Sequence, residues 1–433
     1  MPTRLDARDP GFEAAFEALV SAKRDAETDV DAVVAGIVER VRTEGDAALI
    51  ELTADLDGFE ATPQTLRATA DEIDAAMNAV DRETVAALEM AAGRIADYHR
   101  RQVPDDLDYV DDAGVRLGHR WTALASVGVY VPGGTAAYPS TVLMNAVPAH
   151  VAGVDRVAMC VPATGGQVAP LVLAAARIAG VDEIWRMGGA QAVAAFAYGT
   201  DTIAAVDKVV GPGNAYVAGA KRRLFGTIGI DLIAGPSEIL VLADGANDAR
   251  WIAADLLSQA EHDPTSQSIL ITDDDAFADA VCAAVEDILV TLPRAGIAGE
   301  SWRRFGGVIT VAALSQAVSL IDRIAPEHLE LAVADPDAVA GQVRNAGAIF
   351  LGRHVPEALG DYIAGPNHVL PTAGAARFSS GLGVLDFMKR TSLIGGGPEA
   401  LEALAPAAEI LARAEGLDAH ALSLAVRRGD GGS

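Results

Sequence analysis

The chain has 433 residues, and hydrophobic residues make up 51% of them. This length exceeds what one hydrophobic core usually serves, so we expect two or three compact units. Acidic residues outnumber basic ones by 60 to 33, and the resulting formal charge of −27 argues against nucleic acid as a partner because it would repel a phosphate backbone.

The N-terminus and the cysteines bear on location. The first ten residues, MPTRLDARDP, are charged, and no stretch reaches the roughly 18 uninterrupted apolar residues of a membrane span. Cys160 and Cys282 lie in apolar runs, so we expect them to pack without a disulfide. We predict a cytoplasmic protein without membrane association. The acid-rich, lysine-poor composition favours adaptation to concentrated salt, with a merely acidic protein as the alternative.

Residues up to about 120 form a helical lead-in by their pattern, because apolar positions recur at three- and four-residue intervals. The runs that show this spacing are FEAAFEALVSAKRDAE, DVDAVVAGIVERVRTEGDAALIEL and ETVAALEMAAGRIADYHRR. We predict helices throughout this region.

From Ala123 the pattern changes to short apolar runs that end in glycine and precede helical stretches. These runs are ASVGVYVPGG, RVAMCVPATGG, EIWRMGGAQA and DKVVGPGNAY. A second set begins at Ile230 and consists of IDLIAGPSEILVLAD, SQSILITDD, FGGVITVAA, LELAVAD and AIFLG. Each set predicts a parallel, helix-covered sheet. Beyond Phe387 the pattern returns to helices.

The predicted fold class is α/β, with two Rossmann-like parallel-sheet domains, a helical N-terminal lead-in and a helical C-terminal tail. We expect residues 1–25 to form an N-terminal helical segment. The first α/β domain would combine the lead-in, 26–126, with 238–381, and the second would span 127–237. Residues 382–433 would form the tail.

Glycine turns after predicted strands are candidate phosphate sites. The run VGVYVPGGTAAYPS, from Val127 to Ser140, joins a strand, a paired-glycine turn and polar residues that can cap a helix. The same holds for GGAQA and GPGN, but none of these turns carries a GxGxxG fingerprint. Such turns are more often only turns, so any dinucleotide site must be built differently.

Two short polar segments are candidate sites of chemistry. In DLLSQAEHDP, Gln259 and His262 are three residues apart on a predicted helix that Pro264 would end, so both could bind one metal or simply face water. In IAPEHLEL, Pro326 suits the first turn of a helix, which would place Glu327 and His328 at its N-terminus in the protonation states of general bases.

Asp361 follows a glycine in EALGDYIAGPNH, and His420 lies in the predicted C-terminal helix LDAHALSL. Either residue could be an ordinary surface side chain. The residues alone therefore leave a solvated-surface explanation open for each of these positions.

The segment IDLIAGPSEILVLAD, followed by DLLSQAEHDP, closely resembles the signature of the histidinol dehydrogenase family. VGVYVPGG, GPGNAYV, PEHLEL, LGDYIAGPNHVLPT and EGLDAHA then occur in the family's order, so the likeness covers nearly the whole chain except its extreme N-terminus. The loop GANDAR departs from the family pattern at Asn247, which touches no chemical position.

The resemblance implies a site as well as a fold. One zinc ion per subunit would be bound by Gln259, His262, Asp361 and His420. The residues that would contact NAD are Tyr130, Gln191 and Asn214. The residues that would contact the substrate are Ser237, His328, Glu415 and the four zinc ligands, with His368 as a further pocket residue.

The resemblance also implies a reaction. L-histidinol would be oxidised through L-histidinaldehyde to L-histidine, the last step of histidine biosynthesis, with zinc orienting the substrate. His328 would remove the hydroxyl proton in the first step and act again in the second, in which Glu327 would activate water. Each step would transfer hydride to one NAD.

Two alternatives have different sequence signals. An aldehyde dehydrogenase would need an activated, exposed thiolate, and neither Cys160 nor Cys282 lies in such a setting. A non-catalytic binding protein with the same fold would be signalled by loss of Glu327 or His328, and both are present.

The C-terminal tail predicts an assembly. Its helices have an apolar face but too little mass for a core of their own. In the resembled family this tail reaches the partner chain, so Glu415 and His420 would complete the neighbouring site in a homodimer with shared active sites.

Overall fold

The structure is a computed structural model that describes residues 1–22, 30–133 and 137–429. The predicted boundary at residue 25, the part of the paired-glycine turn at 134–136 and the last four residues lie outside these ranges. The described strands are β1 (Thr3–Asp6), β2 (Leu107–Val110), β3 (Arg116–Ala123), β4 (Ser126–Tyr130), β5 (Arg156–Val161), β6 (Glu183–Arg186), β7 (Lys208–Val210), β8 (Gly229–Ile230), β9 (Glu238–Ala243), β10 (Gln267–Thr272), β11 (Gly307–Thr310), β12 (His328–Ala332), β13 (Ala348–Leu351) and β14 (Met388–Gly395).

The described α-helices frame these strands. They are α1 (Phe12–Ser21), α2 (Asp31–Glu44), α3 (Asp46–Asp57), α4 (Ala70–Ala79), α5 (Arg82–Arg100), α6 (Pro139–Ala152), α7 (Pro170–Ala179), α8 (Gly189–Tyr198), α9 (Ala215–Leu224), α10 (Ala249–Ala260), α11 (Asp275–Leu289), α12 (Ala295–Phe305), α13 (Ala317–Ile324), α14 (Pro336–Ala340), α15 (Glu357–Tyr362), α16 (Pro398–Ala414) and α17 (Asp418–Ala425). Among the residues described, none of the helices combines the length and the apolar character that crossing a bilayer requires.

One parallel sheet has the strand order β1-β11-β10-β9-β12-β13. Every residue of β9 and β10 is buried. Alternate side chains of β9 enter separate cores: Ile239 and Val241 pack with α10 to α12, whereas Leu240 and Leu242 pack with α1 and α13. Burial on both faces explains why these strands are continuous apolar runs in the sequence.

The N-terminal segment joins this sheet. β1 pairs in parallel with β11, and Phe16 and Leu19 of α1 pack in the core cluster that contains Leu240. A helical N-terminal segment is thus present at α1, but the strand before it was not predicted. The sequence TRLD is mostly polar and too short to show apolar alternation.

A second parallel sheet has the order β6-β5-β4-β7-β8. The helices α6 and α7 cover one face, where Val127 and Val129 pack, and α8 and α9 cover the other, where Tyr130 packs. The two helix-covered parallel sheets confirm the predicted α/β class.

The lead-in helices pack against this second sheet. Val34 of α2 and Leu49 of α3 belong to the core that contains Tyr130, and Leu88 and Ile95 of α5 belong to the core that contains Val127. These contacts differ from the expected grouping of 26–126 with 238–381. The lead-in is amphipathic throughout, and its sequence does not specify which sheet its apolar face covers. The domain boundaries themselves stay a prediction.

A small antiparallel sheet, ordered β14-β3-β2, was not predicted. The expectations of helix up to residue 120 and of helices directly after Phe387 are therefore wrong for β2, β3 and β14. Most residues of β2 and β14 are exposed, so they lack the apolar pattern that marks a strand. The tail does continue as the helices α16 and α17.

Candidate active site

The candidate catalytic pair lies at the start of β12, at the amino ends of the strands of the larger sheet. The helix predicted to begin at Pro326 is absent from this described region, because α13 ends at Ile324 and Ala325 takes a left-handed conformation with φ of +50°. Pro326 then leads into a strand that begins at His328. The prediction that Glu327 and His328 occupy a helix N-terminus is wrong.

Hydrogen bonding fixes the tautomer of the His328 imidazole. Its Nδ1 lies 2.9 Å from the carbonyl oxygen of Glu238, which can only accept, so Nδ1 carries the proton. Burial lowers the pKa of His328 to about 3. The ring is therefore neutral near pH 7, and its buried Nε2, which has no hydrogen-bond partner among the described residues, offers a lone pair for proton abstraction.

Glu238 organises both candidate bases through its backbone. Its N–H donates to Oε2 of Glu327 over 2.8 Å, while its carbonyl accepts from His328. Its own carboxylate accepts from the N–H of Ala373 over 3.0 Å. The first residue of β9 thus links the catalytic pair of β12 to the loop that follows His368. Glu327 and Glu238 are both buried.

Gln259 and His262 lie where α10 ends. The N–H of His262 bonds to the carbonyl of Gln259 and closes the helix in a turn, so α10 ends at Ala260, two residues before His262. The prediction that both residues lie on one helix is therefore wrong for His262. Gln259 is buried, and within the part of the chain that the structure describes neither its amide nitrogen nor its amide oxygen has a hydrogen-bond partner. His262 is partly exposed, and its Nε2 lies 4.0 Å from Oδ2 of Asp361.

Asp361 is the centre of the donor cluster. Its Oδ1 lies 3.8 Å from Nε2 of His328 and 3.8 Å from Nδ1 of His368. The backbone carbonyl of Asp361 accepts a hydrogen bond from Nδ1 of His368 over 3.0 Å. Burial raises the pKa of Asp361 to about 6 and lowers the pKa of His368 to about 4, so both groups are held in a dry environment.

Glu357 is a functional candidate that the sequence reasoning missed. It precedes Asp361 by four residues in α15, and its Oε1 lies 3.7 Å from Nε2 of His328. Burial, together with the nearby Asp361, raises the pKa of Glu357 to about 8. The i, i+4 spacing of two acidic residues next to a predicted ligand was the available signal, because it places both carboxyl groups on one helical face.

These side chains suit a divalent metal ion. His328, Glu357 and Asp361 bring one donor atom each to within 4.8 Å of one another. Polar atoms of Gln259, His328 and Glu357 are buried and have no hydrogen-bond partner among the described residues, and the pKa values of the Glu357 and Asp361 carboxyl groups are raised. Buried polar atoms normally have partners, and a cation would supply one to the amide oxygen of Gln259 and to Oε1 of Glu357. Nitrogen and oxygen donors without thiolate fit zinc.

Not every residue predicted for the site joins this cluster. Glu415 and His420 are exposed, at the end of α16 and on α17 respectively, and the metal-type cluster found within the described ranges does not include His420. Ser237 is half-buried directly before β9, where its carbonyl accepts from the N–H of Gln267.

The residues predicted for NAD lie at the carboxyl ends of strands of the second sheet, or just after them. Tyr130 ends β4, and its hydroxyl accepts from the N–H of Gly189 over 3.0 Å. Gln191 is buried at the start of α8, and neither of its amide atoms has a hydrogen-bond partner in the described ranges. Asn214 is exposed and caps α9 by accepting from the N–H groups of Tyr216 and Val217. This edge of a parallel sheet is where nucleotides usually bind.

The fold and the site together define an α/β enzyme with a neutral buried histidine base beside a candidate metal centre. The family model described as histidinol dehydrogenase matches residues 20–428. The chain is 62% identical over 427 residues to the histidinol dehydrogenase of Ruegeria pomeroyi, with 99% of each chain covered. It is also 62% identical over 432 residues to that of Rhodospirillum rubrum, with both chains fully covered.

The structural comparison agrees. A crystal structure of histidinol dehydrogenase from Elizabethkingia anophelis has a TM-score of 0.94 and 34% sequence identity, and the match covers 98% of each chain. The chain belongs to the histidinol dehydrogenase family.

Proposed function

We propose that this chain is a zinc-containing L-histidinol dehydrogenase that oxidises L-histidinol through L-histidinaldehyde to L-histidine with two NAD. Membership of the family supports the reaction. The observation that carries the residue assignment is the neutral His328, whose Nε2 faces buried carboxylate donors. We keep the cytoplasm as the predicted location.

The metal residues proposed are Gln259, His262, Asp361 and His420, one zinc ion per subunit. The unpartnered amide of Gln259 and the approach of His262 to Asp361 support three of these four. When bound, zinc would hold the imidazole and amine of the substrate, and NAD would accept a hydride in each step. His368, bonded to the backbone of Asp361, is proposed as a pocket residue.

In the first step His328 accepts the hydroxyl proton of L-histidinol at Nε2. The bond from Nδ1 to Glu238 keeps that lone pair on the side of Asp361 and Glu357. Because burial keeps the ring neutral, no proton has to leave His328 before it can act as a base.

In the second step Glu327 accepts a proton from the water that adds to the aldehyde, and His328 returns the proton of the first step to the carbonyl oxygen. His328, neutral again, then deprotonates the hydrate as hydride passes to the second NAD. Oε2 of Glu327 is held by the N–H of Glu238 and lies 3.7 Å from Nδ1 of His328. Both bases therefore lie at the start of one strand, and their side chains keep the same relative position through both oxidations.

The remaining contacts belong to the substrate and NAD. Tyr130, Gln191 and Asn214 are proposed to contact NAD, and their position at the carboxyl edge of the second sheet supports this. The substrate contacts proposed are Ser237, His328, Glu415 and the four metal residues.

A homodimer with shared sites is part of the proposal. His420 and Glu415 are exposed in the single chain, and α16 and α17 also expose large apolar side chains. Of these, Ile410 is 68% exposed, Leu411 is 64% exposed and Leu422 is 54% exposed. A second copy would cover this surface and bring His420 to a neighbouring donor cluster.

Mixing two inactive variants tests the shared sites. His328→Asn chains and His420→Asn chains are each inactive, but a mixed dimer has one site with both defects and one with neither. NADH formation should therefore reappear after subunit exchange. If exchange is verified by mass spectrometry and activity stays absent, His420 serves its own chain.

The covalent alternative requires a reactive thiol. Cys160 is fully buried in β5, and burial raises the pKa of its thiol far above the usual range. Cys282 is partly exposed on α11, and burial raises its pKa as well. Neither thiol is in the thiolate form that a thiohemiacetal needs.

An NADH-formation assay decides between the enzyme and a non-catalytic binder. With L-histidinol, NAD and zinc, the purified chain should form two NADH for each L-histidinol consumed. Binding of L-histidinol without NADH formation would support the binder, and one NADH for each L-histidinol would contradict the second step.

A further inference from the structure

A fully buried ion pair lies beneath the turn that carries Asn214. Nζ of Lys221, in α9, donates to Oδ1 of Asp231 over 2.6 Å, and the two side chains are 3% and 1% exposed. Asp231 directly follows β8. A buried ion pair usually costs about as much in desolvation as it returns in attraction. Its main role is therefore to hold other groups in place and not to stabilise the fold.

Both sides of this pair hold the peptide groups of Gly211. The N–H of Gly211 donates to Oδ2 of Asp231 over 2.7 Å, and the carbonyl of Gly211 accepts from Nζ of Lys221. One ion pair thus fixes the donor and the acceptor of a single residue. Both polar contacts come from side chains, so the orientation of the turn depends on the pair.

Gly211 needs this control because its conformation is unusual. Its φ is +106°, and a Cβ at this position would lie 2.2 Å from the carbonyl oxygen of Tyr130. The turn therefore packs directly on the end of β4. From there the chain passes through Pro212 and Gly213 to Asn214, the N-cap of α9. A glycine turn that enters a helix N-terminus is suited to an anionic phosphate group.

We infer that Lys221 and Asp231 are positioning residues that hold the turn from Gly211 to Asn214 against Tyr130 in the geometry that NAD requires. The inference rests on the proposed function, which assigns Tyr130 and Asn214 to NAD. It predicts that loss of the pair impairs NAD binding and spares both the chemical step and the binding of L-histidinol.

Two paired substitutions test the inference without leaving a buried charge. Lys221→Met with Asp231→Leu removes both contacts to Gly211. Lys221→Met with Asp231→Asn retains an acceptor for the N–H of Gly211. The matched control is Arg156→Met with Glu183→Gln, which neutralises a less deeply buried ion pair between β5 and β6 of the same sheet.

The KM for NAD should rise about tenfold in the Leu variant and less in the Asn variant, because one hydrogen bond is restored. The kcat should stay within about threefold and the KM for L-histidinol within about twofold. The control pair should lower thermal stability but leave the KM for NAD unchanged. Hydrogen exchange of the peptide that spans residues 211–217, measured without NAD, should be faster in the Leu variant than in the wild-type protein. Its rate should be only modestly below that of an unfolded reference.

The inference is overturned if the folded Leu variant keeps both the wild-type KM for NAD and the wild-type exchange of residues 211–217. If the Leu variant does not fold, the Asn variant decides by the same two measurements, with a raised KM for NAD expected. Failure of the proposed function is a separate result, because wild-type protein would then form no NADH, whereas the exchange measurement would still report on the ion pair.

Discussion

Replacing His328 by Asn should remove the base while leaving its surroundings nearly intact. The Asn side chain can still donate to the carbonyl of Glu238, which accepts from Nδ1 of His328 over 2.9 Å in the native chain. It has no counterpart to Nε2, which faces Asp361 and Glu357. The folding cost is therefore that of a small cavity, about 1–2 kcal/mol.

The catalytic cost is larger. A positioned general base contributes roughly 10²- to 10⁴-fold, which is about 3–5 kcal/mol in the barrier. Because burial keeps His328 neutral down to a pKa of about 3, its own titration does not limit activity near neutrality, and the loss should be the same from about pH 6 to 8.

Glu327→Gln is the matched comparison. Its amide oxygen can still accept from the N–H of Glu238, as Oε2 does over 2.8 Å. The variant should lose aldehyde oxidation, measured with L-histidinaldehyde and NAD, by about 10²-fold or more. It should retain most of the first half-reaction, measured in reverse as NADH-dependent reduction of L-histidinaldehyde.

The same two assays on His328→Asn should show losses in both halves. Equal losses in both half-reactions for Glu327→Gln would refute the division of labour between the two bases. A His328→Asn protein that keeps its fold and more than about a tenth of kcat would refute the assignment of His328 as the base.

Three further predictions concern the thiols, the metal and a buried carboxyl group. Cys160→Ala combined with Cys282→Ala should keep at least about a tenth of kcat, and inactivity of the folded protein would restore the covalent route. Chelation should remove activity and Zn²⁺ should restore it; full activity after metal removal is verified by elemental analysis would contradict the zinc assignment. Burial and Asp255 raise the pKa of Glu330 to about 9, so the stability that its proton provides is complete below pH 4.5 and is lost as the pH rises toward 9. Glu330→Gln should therefore stabilise the chain at pH 8 by about 1–3 kcal/mol in denaturant unfolding and little at pH 5, and an equal effect from the exposed control Glu286→Gln would contradict this.

The central strands could be predicted because burial on both faces requires a continuous apolar sequence. All residues of β9 and β10 are buried, and both appear as apolar runs between polar turns. The exposed strands have no such apolar sequence. β14 is specified by its pairing with β3, which is about 270 residues earlier in the chain, and local patterns do not encode pairing at that separation.

The site shows a similar division. The resemblance identified His328, Gln259 and Asp361. In the structure, Nε2 of His328 lies 3.8 Å from Oδ1 of Asp361, and the amide atoms of Gln259 are buried. Local signals were less reliable. Pro326 suggested the first turn of a helix, but the left-handed Ala325 directs the chain into β12. Proline fixes its own φ near −65°, which suits a helix start and an extended segment alike.

The proposed shared site would make the single chain an incomplete catalytic unit. Gln259, His328 and Glu357 have buried polar atoms without a hydrogen-bond partner among the residues that the structure describes, and such atoms are costly unless an ion or water satisfies them. In the proposed ligand set, a zinc ion held by Gln259, His262 and Asp361 would also be bound by His420. His420, predicted for that position, is exposed beside an apolar surface on the tail helices. We propose that two-fold pairing would bring His420, which is exposed in one chain, to the donor cluster of the other chain.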